Sequence, residues 1–250
     1  MTASSGASTT AAVDPTGVEA GVVSRPVDDV TFEDLLVRAR EIAARPGRHV
    51  LGVCGTPGAG KTTLAVQLAR ALAAGPVPPG CDEGWVAHVP MDGYHLADVE
   101  LERVGRRDAK GAPDTFDSDG FAALLERWHA ALPGEVVYAP MFERDIEQPI
   151  AGAIPVRSDV RLVVTEGNYL LLDGPGWERA RGSMDEVWFC DVPDDERRER
   201  LVERHVRFGK TPQEAADWVR SVDEPNARMV LATAVRADLM VPVAVVPPLA

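Results

Sequence analysis

The run Gly55-Thr56-Pro57-Gly58-Ala59-Gly60-Lys61-Thr62 sets glycines, a lysine and a hydroxyl at the spacing G-x-x-x-x-G-K-[ST]. Glycine lets a chain turn so tightly that several backbone N–H groups face one anion. Before the run lies a short apolar strand-like stretch, His49 to Cys54, and after it an apolar-rich stretch of helix formers, Thr62 to Ala74. A helix starting there adds the positive end of its dipole. Lys61 would reach the β- and γ-phosphates of a nucleoside triphosphate, and the Thr62 hydroxyl would hold Mg²⁺. Gly55 through Thr63 are therefore the expected nucleotide contacts. A glycine-rich turn that binds nothing would have to match every fixed position by chance.

Two carboxylates stand at comparable places. Asp92 follows the apolar stretch Trp85 to Pro90, and Glu166 ends the stretch Arg161 to Thr165. A carboxylate beside a triphosphate can accept the proton of an alcohol while aligning its oxygen for attack. Asp92 is assigned that role; the alternative is a turn aspartate bonded to its own backbone. Glu166 would hold Mg²⁺ or its water shell, or contact the substrate; the alternative is an acid capping a turn. Tyr94, His95 and Tyr169 would lie in the same cleft. Between Arg197 and Lys210 runs a dense set of basic residues among acids. It reads either as a solvated helix face with i,i+4 pairs such as Glu196 with Arg200, or as a lid whose arginines fold over the γ-phosphate. Arg200 and Arg204, one turn apart, are the lid candidates, with the choice between them open. Arg107, within a cluster that includes Arg106 and Lys110, would bind an anionic substrate or lie on the surface. Phe142 and Arg144 read as a substrate wall and clamp. His88 and His129 read as packing or surface histidines.

Positioning these groups requires a sheet. Apolar strands near 49–54, 85–90, 161–165, 186–190 and 238–246 alternate with helical stretches, which implies right-handed crossovers and a parallel sheet covered on both faces. Ligands of such sheets bind beyond the carboxyl ends of the strands, where every candidate above falls. Thr31 would cap an early helix carrying Leu35, Ala39 and Ile42; Asp117 or Ser118 would cap another carrying Phe121, Leu124, Leu125 and Trp128. Glu135 to Pro140 reads as extended, Met141 to Pro155 as irregular and exposed. Thr211 to Glu214 resembles a capping box with proline at the first helical position, opening a helix to about Arg220 or beyond. Residues 1–26, rich in Ala, Ser, Thr and Gly, are expected to be a disordered tail, with 27–250 forming one domain and 194–212 its lid.

With 250 residues, the chain supports one large core or at most two domains. A formal net charge of −13 argues against nucleic acid or an anionic membrane as the main partner. No apolar run approaches the roughly 20 residues of a membrane span. Three widely spaced cysteines, Cys54, Cys81 and Cys190, read as reduced thiols of a cytoplasmic protein.

The motifs GTPGAGKTT, MDGYHL, KGAPDTFD, PMFERDIEQP, TEGNYLLL and ERHVRFGKTP together resemble the phosphoribulokinase/uridine kinase group of P-loop kinases. Within it the chain looks most like bacterial nucleoside/nucleotide kinase-like proteins labelled fructose-transport-system kinases, and less like type I pantothenate kinases. The resemblance spans roughly Val50 to Met240. It implies an α/β P-loop NTPase fold, a doubly wound parallel sheet of about five strands with helices on both faces and a helical lid. It implies ATP and Mg²⁺ as cofactors, Asp92 as base, and lid arginines near Arg200 and Arg204. It also suggests that Asn226 touches the adenine. Family members phosphorylate chemically different alcohols, so a sugar, a nucleoside or a pantothenate-like metabolite is the expected small-molecule partner; a homodimer stays open. The rival is a P-loop GTPase acting as a switch or metallochaperone, but no N-K-x-D segment for reading guanine is present.

Overall fold

Period-two burial along the central strands organises the domain. In the computed structural model, which describes residues 30–248, strand β1 (His49–Gly55) is buried throughout. Val50 and Cys54 face one layer of helices, Leu51 and Val53 the other. β1 pairs in parallel with β5 (Leu162–Gly167) and β6 (Glu186–Asp191); β5 pairs with β2 (Val86–Pro90), and β6 with β7 (Leu239–Pro242). The sheet order is β2-β5-β1-β6-β7. This is the α/β fold expected of a doubly wound parallel sheet with helices on both faces. The expected tail over residues 1–26 lies outside the described residues. Among the described residues, no helix is long and apolar enough to cross a membrane.

On one face lie α1 (Phe32–Ala44) and α2 (Lys61–Ala74). Thr31 caps α1 through a reciprocal pair with Asp34, and Leu35, Ile42, Leu64 and Leu68 bury against the sheet. On the other face, α4 (Ser118–His129) is capped by Asp117 and buries Phe121, Leu125 and Trp128 beside Trp177 of α5 (Pro175–Gly182). A short helix, α3 (Asp98–Arg103), precedes α4. The charged stretch forms α6 (Asp194–Arg207). The capping box at Thr211 and Glu214 opens α7 (Pro212–Trp218). A π-type turn, Val219–Asp223, then leads directly into α8 (Glu224–Leu231), so helical structure continues well past Arg220.

One expectation is overturned. Residues 141–155 are not irregular: β3 (Val136–Glu143) and β4 (Gln148–Arg157) form a separate antiparallel hairpin. Pro149, Pro155 and a run of exposed small residues hide the strand in the sequence, but an outer strand of a two-stranded ribbon tolerates proline. The hairpin meets the turn after β2 closely at Gly93. A β-carbon there would stand 2.4 Å from Pro140 O and 2.7 Å from Pro140 C, backbone atoms with no room to yield. Gly93→Ala is therefore expected to destabilise the fold by about 1–3 kcal/mol, as overpacking does. A thermal melt reads this as a lowered Tm; an unchanged Tm would mean that the hairpin is not fixed at that point.

Candidate active site

The sheet register brings three strand ends together. β1 and β5 run side by side, and Pro90 at the end of β2 is level with Glu166 near the end of β5. The glycine loop after β1, Asp92 after β2 and Glu166 on β5 consequently open on one cleft of about 430 Å³. Pro57, Gly58, Lys61 and Thr62 line it from the loop, Thr56 and Ala59 are buried beneath, and Thr63 continues into α2. Gly58 and Gly60 have φ of 81° and 84°, the left-handed region that glycine enters without strain. Gly58 is also pressed under α6: a β-carbon would meet Leu201 Cγ at 2.9 Å and Arg197 O at 3.0 Å. Lys61 is buried, and its Nζ donates to Thr56 O at 2.9 Å, within its own loop.

Asp92 lies in a short turn, Met91–Tyr94, immediately after β2. Arg144 Nη2, from the hairpin, donates to its Oδ2 at 2.9 Å. Burial opposes its ionisation, but His95, Arg144, Arg204 and Lys61 outweigh burial and hold the carboxyl below its usual range. Glu166, 3 % exposed, behaves oppositely. Burial and the neighbouring Asp92 charge raise it to about 7, against the pull of Lys61 and of the Thr62 hydroxyl, which donates to its Oε1 at 3.2 Å. The pair thus holds an ionised acid beside one that keeps its proton to near neutrality. His95 donates from Nδ1 to Asp92 O at 2.8 Å, which fixes its tautomer, and its ring packs on Phe116 and Phe142.

Arg107, Phe142, Arg144 and Arg204 all line the cleft. Arg200 does not; it pairs with Glu196 on the same helix, and its Nη1 approaches the loop at Gly60. Arg106 pairs with Asp114, away from the cleft. Two expected substrate contacts are displaced. Tyr169 is fully buried against Phe116 and Trp177, with its hydroxyl donated to Gly111 O. Tyr94 packs on Phe121 in the core. Both sit next to a site segment in sequence, but their rings turn inward to complete the aromatic layer under α4. Asn226, expected at the nucleotide base, is buried on the wall of the cleft, with Nδ2 3.5 Å from Gly111 O. Asp98, Phe116 and Trp218 also line the cleft and were not foreseen; nothing in their local pattern separates them from ordinary helix and core residues.

Among the described residues, no three His, Cys, Asp or Glu side chains gather to hold a metal by themselves. The donors present, a threonine hydroxyl and a carboxylate, are hard oxygens that suit Mg²⁺ shared with phosphate oxygens. The cysteines are free, and burial pushes the Cys54 thiol up to about 11 and Cys190 to about 12.

A nucleotide-phosphate loop at the head of a parallel sheet, with carboxylates at the neighbouring strand ends, defines a P-loop kinase. No family model matches the chain. It is 32% identical over 219 residues to a Schizosaccharomyces pombe protein provisionally described as a uridine kinase, covering 85% of this chain and 91% of that one. It is 35% identical over 160 residues to an ATP-dependent kinase-like protein, notR′, of Aspergillus versicolor, covering 61% and 93%. A crystal structure from Silicibacter sp. TM1040, provisionally described as a fructose transport system kinase, superposes with a TM-score of 0.74 at 37% identity, covering 85% of this chain and all of that one. The chain belongs to the phosphoribulokinase/uridine kinase group of P-loop kinases, with the fructose-transport-system kinase-like proteins, and is an ATP-dependent small-molecule kinase.

The raised Glu166 pKa carries a consequence for stability. A group that binds its proton more tightly when folded adds stability below its unfolded value, near 4.5, and loses it as pH rises through about 7. In the nucleotide-free protein, Glu166→Gln is therefore expected to gain Tm relative to wild type between pH 5 and pH 8. Parallel melting curves at the two pH values would overturn the raised pKa.

Proposed function

We propose that this chain transfers the γ-phosphate of ATP to a hydroxyl of a sugar, nucleoside or pantothenate-like metabolite, with Asp92 as the base. One observation carries the reading: Asp92, ionised in its surroundings, lines the same cleft as Lys61, Thr62 and Glu166. Residues 27–250 act as the catalytic domain. In the proposed mechanism the N–H groups of Gly58 to Thr63 and the Lys61 ammonium bind the triphosphate. Lys61 leaves Thr56 O for the β- and γ-phosphate oxygens. Thr62 and Glu166 would hold Mg²⁺, which when bound neutralises phosphate charge. Asp92 receives the acceptor's proton as its oxygen is aligned for attack, and Arg144 keeps that carboxylate ionised and oriented. Arg204 reaches the γ-phosphate from α6, while Arg200 serves the nucleotide beside Gly60. Positive charge so placed stabilises a transition state whose charge spreads over the phosphoryl oxygens. The net charge of −13 supports a small molecule, rather than nucleic acid, as partner.

An ATP phosphorylation screen over ketoses, nucleosides, pantothenate and their phosphates, read by mass spectrometry, tests the activity and identifies the acceptor. Asp92→Asn is expected to lower kcat by about a hundredfold or more while ATP still binds. Near-normal turnover in that variant would remove Asp92 from the mechanism. Lys61→Ala should strongly reduce turnover, and full activity would mean that the loop does not hold the phosphates.

A further inference from the structure

A second cavity, of about 310 Å³, lies behind the phosphate loop, between the end of β6 and the helices α6 and α8. That volume is at the lower end of the roughly 300–1,000 Å³ typical of small-molecule sites. None of Lys61, Thr62, Arg200 and Arg204 lines it, so it is separate from the path of the phosphates. Phe189, Val192, Ala227 and Leu231 supply an apolar wall, with Leu231 still 52 % exposed.

The charged residues around this cavity balance in number but not in partnership. Arg197 and Arg198 share Asp194 and Glu224. Arg197 keeps one nitrogen, Nη1, buried and without a hydrogen-bond partner. Asp191, at the end of β6, and Arg228, on α8, line the cavity as well, yet neither side chain makes an ion pair or hydrogen bond with any described residue. The wall thus offers one uncommitted acid and one uncommitted base beside an apolar surface. A singly charged ligand would answer one of them and leave the other uncompensated as it was covered, and a neutral apolar ligand would strand both.

The cavity also touches the machinery on two sides. Thr56 lines it, and the Thr56 carbonyl holds Lys61 Nζ at 2.9 Å. Arg197 lines it from α6, the helix whose Arg197 carbonyl presses on Gly58. Helix α8 is a shared wall: Asn226 lines the main cleft, Ala227 and Arg228 the second cavity.

We propose that this cavity binds a small zwitterion, an α-amino acid with an apolar side chain, and that its occupancy changes the affinity of the phosphate loop for ATP. The ligand's ammonium pairs with Asp191 and its carboxylate with Arg228, whose planar fork suits a carboxylate. Its side chain covers Phe189 and Leu231. Contact with Thr56 gives the coupling its route, because a shift there moves the group that holds Lys61. The site does not depend on which alcohol the kinase phosphorylates.

The test titrates the standard amino acids into the full chain by isothermal titration calorimetry, alone and with a saturating non-hydrolysable ATP analogue. An amino acid with an apolar side chain is expected to bind saturably. Its decarboxylated amine and its deaminated acid should each bind about tenfold or more weaker, since each lacks one charge-assisted bond. Asp191→Asn and Arg228→Gln, at exposed positions where neither change threatens the fold, should each weaken the amino acid by a similar factor with ATP binding retained. The analogue and the amino acid should change each other's affinity by the same factor, about fivefold or more. Absence of binding by any amino acid, an amine or acid that binds as well as its parent, variants without effect, or strict competition with the analogue would each overturn the site. Equal affinity for the analogue with the cavity filled and empty would overturn the coupling. Failure of the analogue itself to bind would instead strike at the kinase reading.

Discussion

Two carboxylates at adjacent strand ends, taken out of water together, form the constraint around which this site is built. Side by side in a buried cleft, Asp92 and Glu166 cannot both ionise cheaply. The surroundings resolve the conflict asymmetrically. Arg144 bonds Asp92 directly and His95, Arg204 and Lys61 add their fields, so its charge is kept; for Glu166, burial and the Asp92 charge outweigh Lys61, Thr62 and Arg144, and it keeps its proton to near neutrality. Each helper comes from a different part of the chain: the phosphate loop, the turn after β2, the hairpin and α6. The cleft is therefore as much an electrostatic assembly as a shape, with an ionised acid set beside one that keeps its proton to near neutrality.

The phosphate loop is held from two sides. Beneath it lies β1, fully buried. Above it, Leu201 and the backbone of Arg197 rest on Gly58, so that no side chain at residue 58 would fit. Arg197 is itself only 2 % exposed and is bound by Asp194 and Glu224, which fastens the first half of α6 to α8. The stretch expected to be a lid is thus anchored through the N-terminal half of α6, with Arg204 on its C-terminal half and Phe208 and Lys210 just past its end. Rigid support beneath and a cationic arm beyond is an arrangement suited to phosphoryl transfer, where positioning and charge do most of the work.

The proposed acceptor side of the cleft is assembled from segments far apart in the chain. The hairpin brings Phe142 and Arg144, α3 and the loop after it bring Asp98, Arg107 and Lys110, and the π-type turn sets Trp218 and Asp223 at its two ends. π-turns commonly occur where a helix must re-aim side chains for function. Here the added residue lets α7 and α8 both present groups to the same cleft.

By itself the sequence determined the parts whose signal is local. The glycine spacing before Lys61, the apolar strands, the capping residues Thr31, Asp117 and Thr211, and the positions of Asp92 and Glu166 at strand ends follow from steric and hydrogen-bonding preferences that act over a few residues. Only the tertiary structure decided where long-range partners meet: that Tyr94 and Tyr169 turn into the core, that β4 exists despite its prolines, and that Arg144 finds Asp92. A side chain's direction and its charge balance depend on which distant neighbours share its space, and no run of adjacent residues records that.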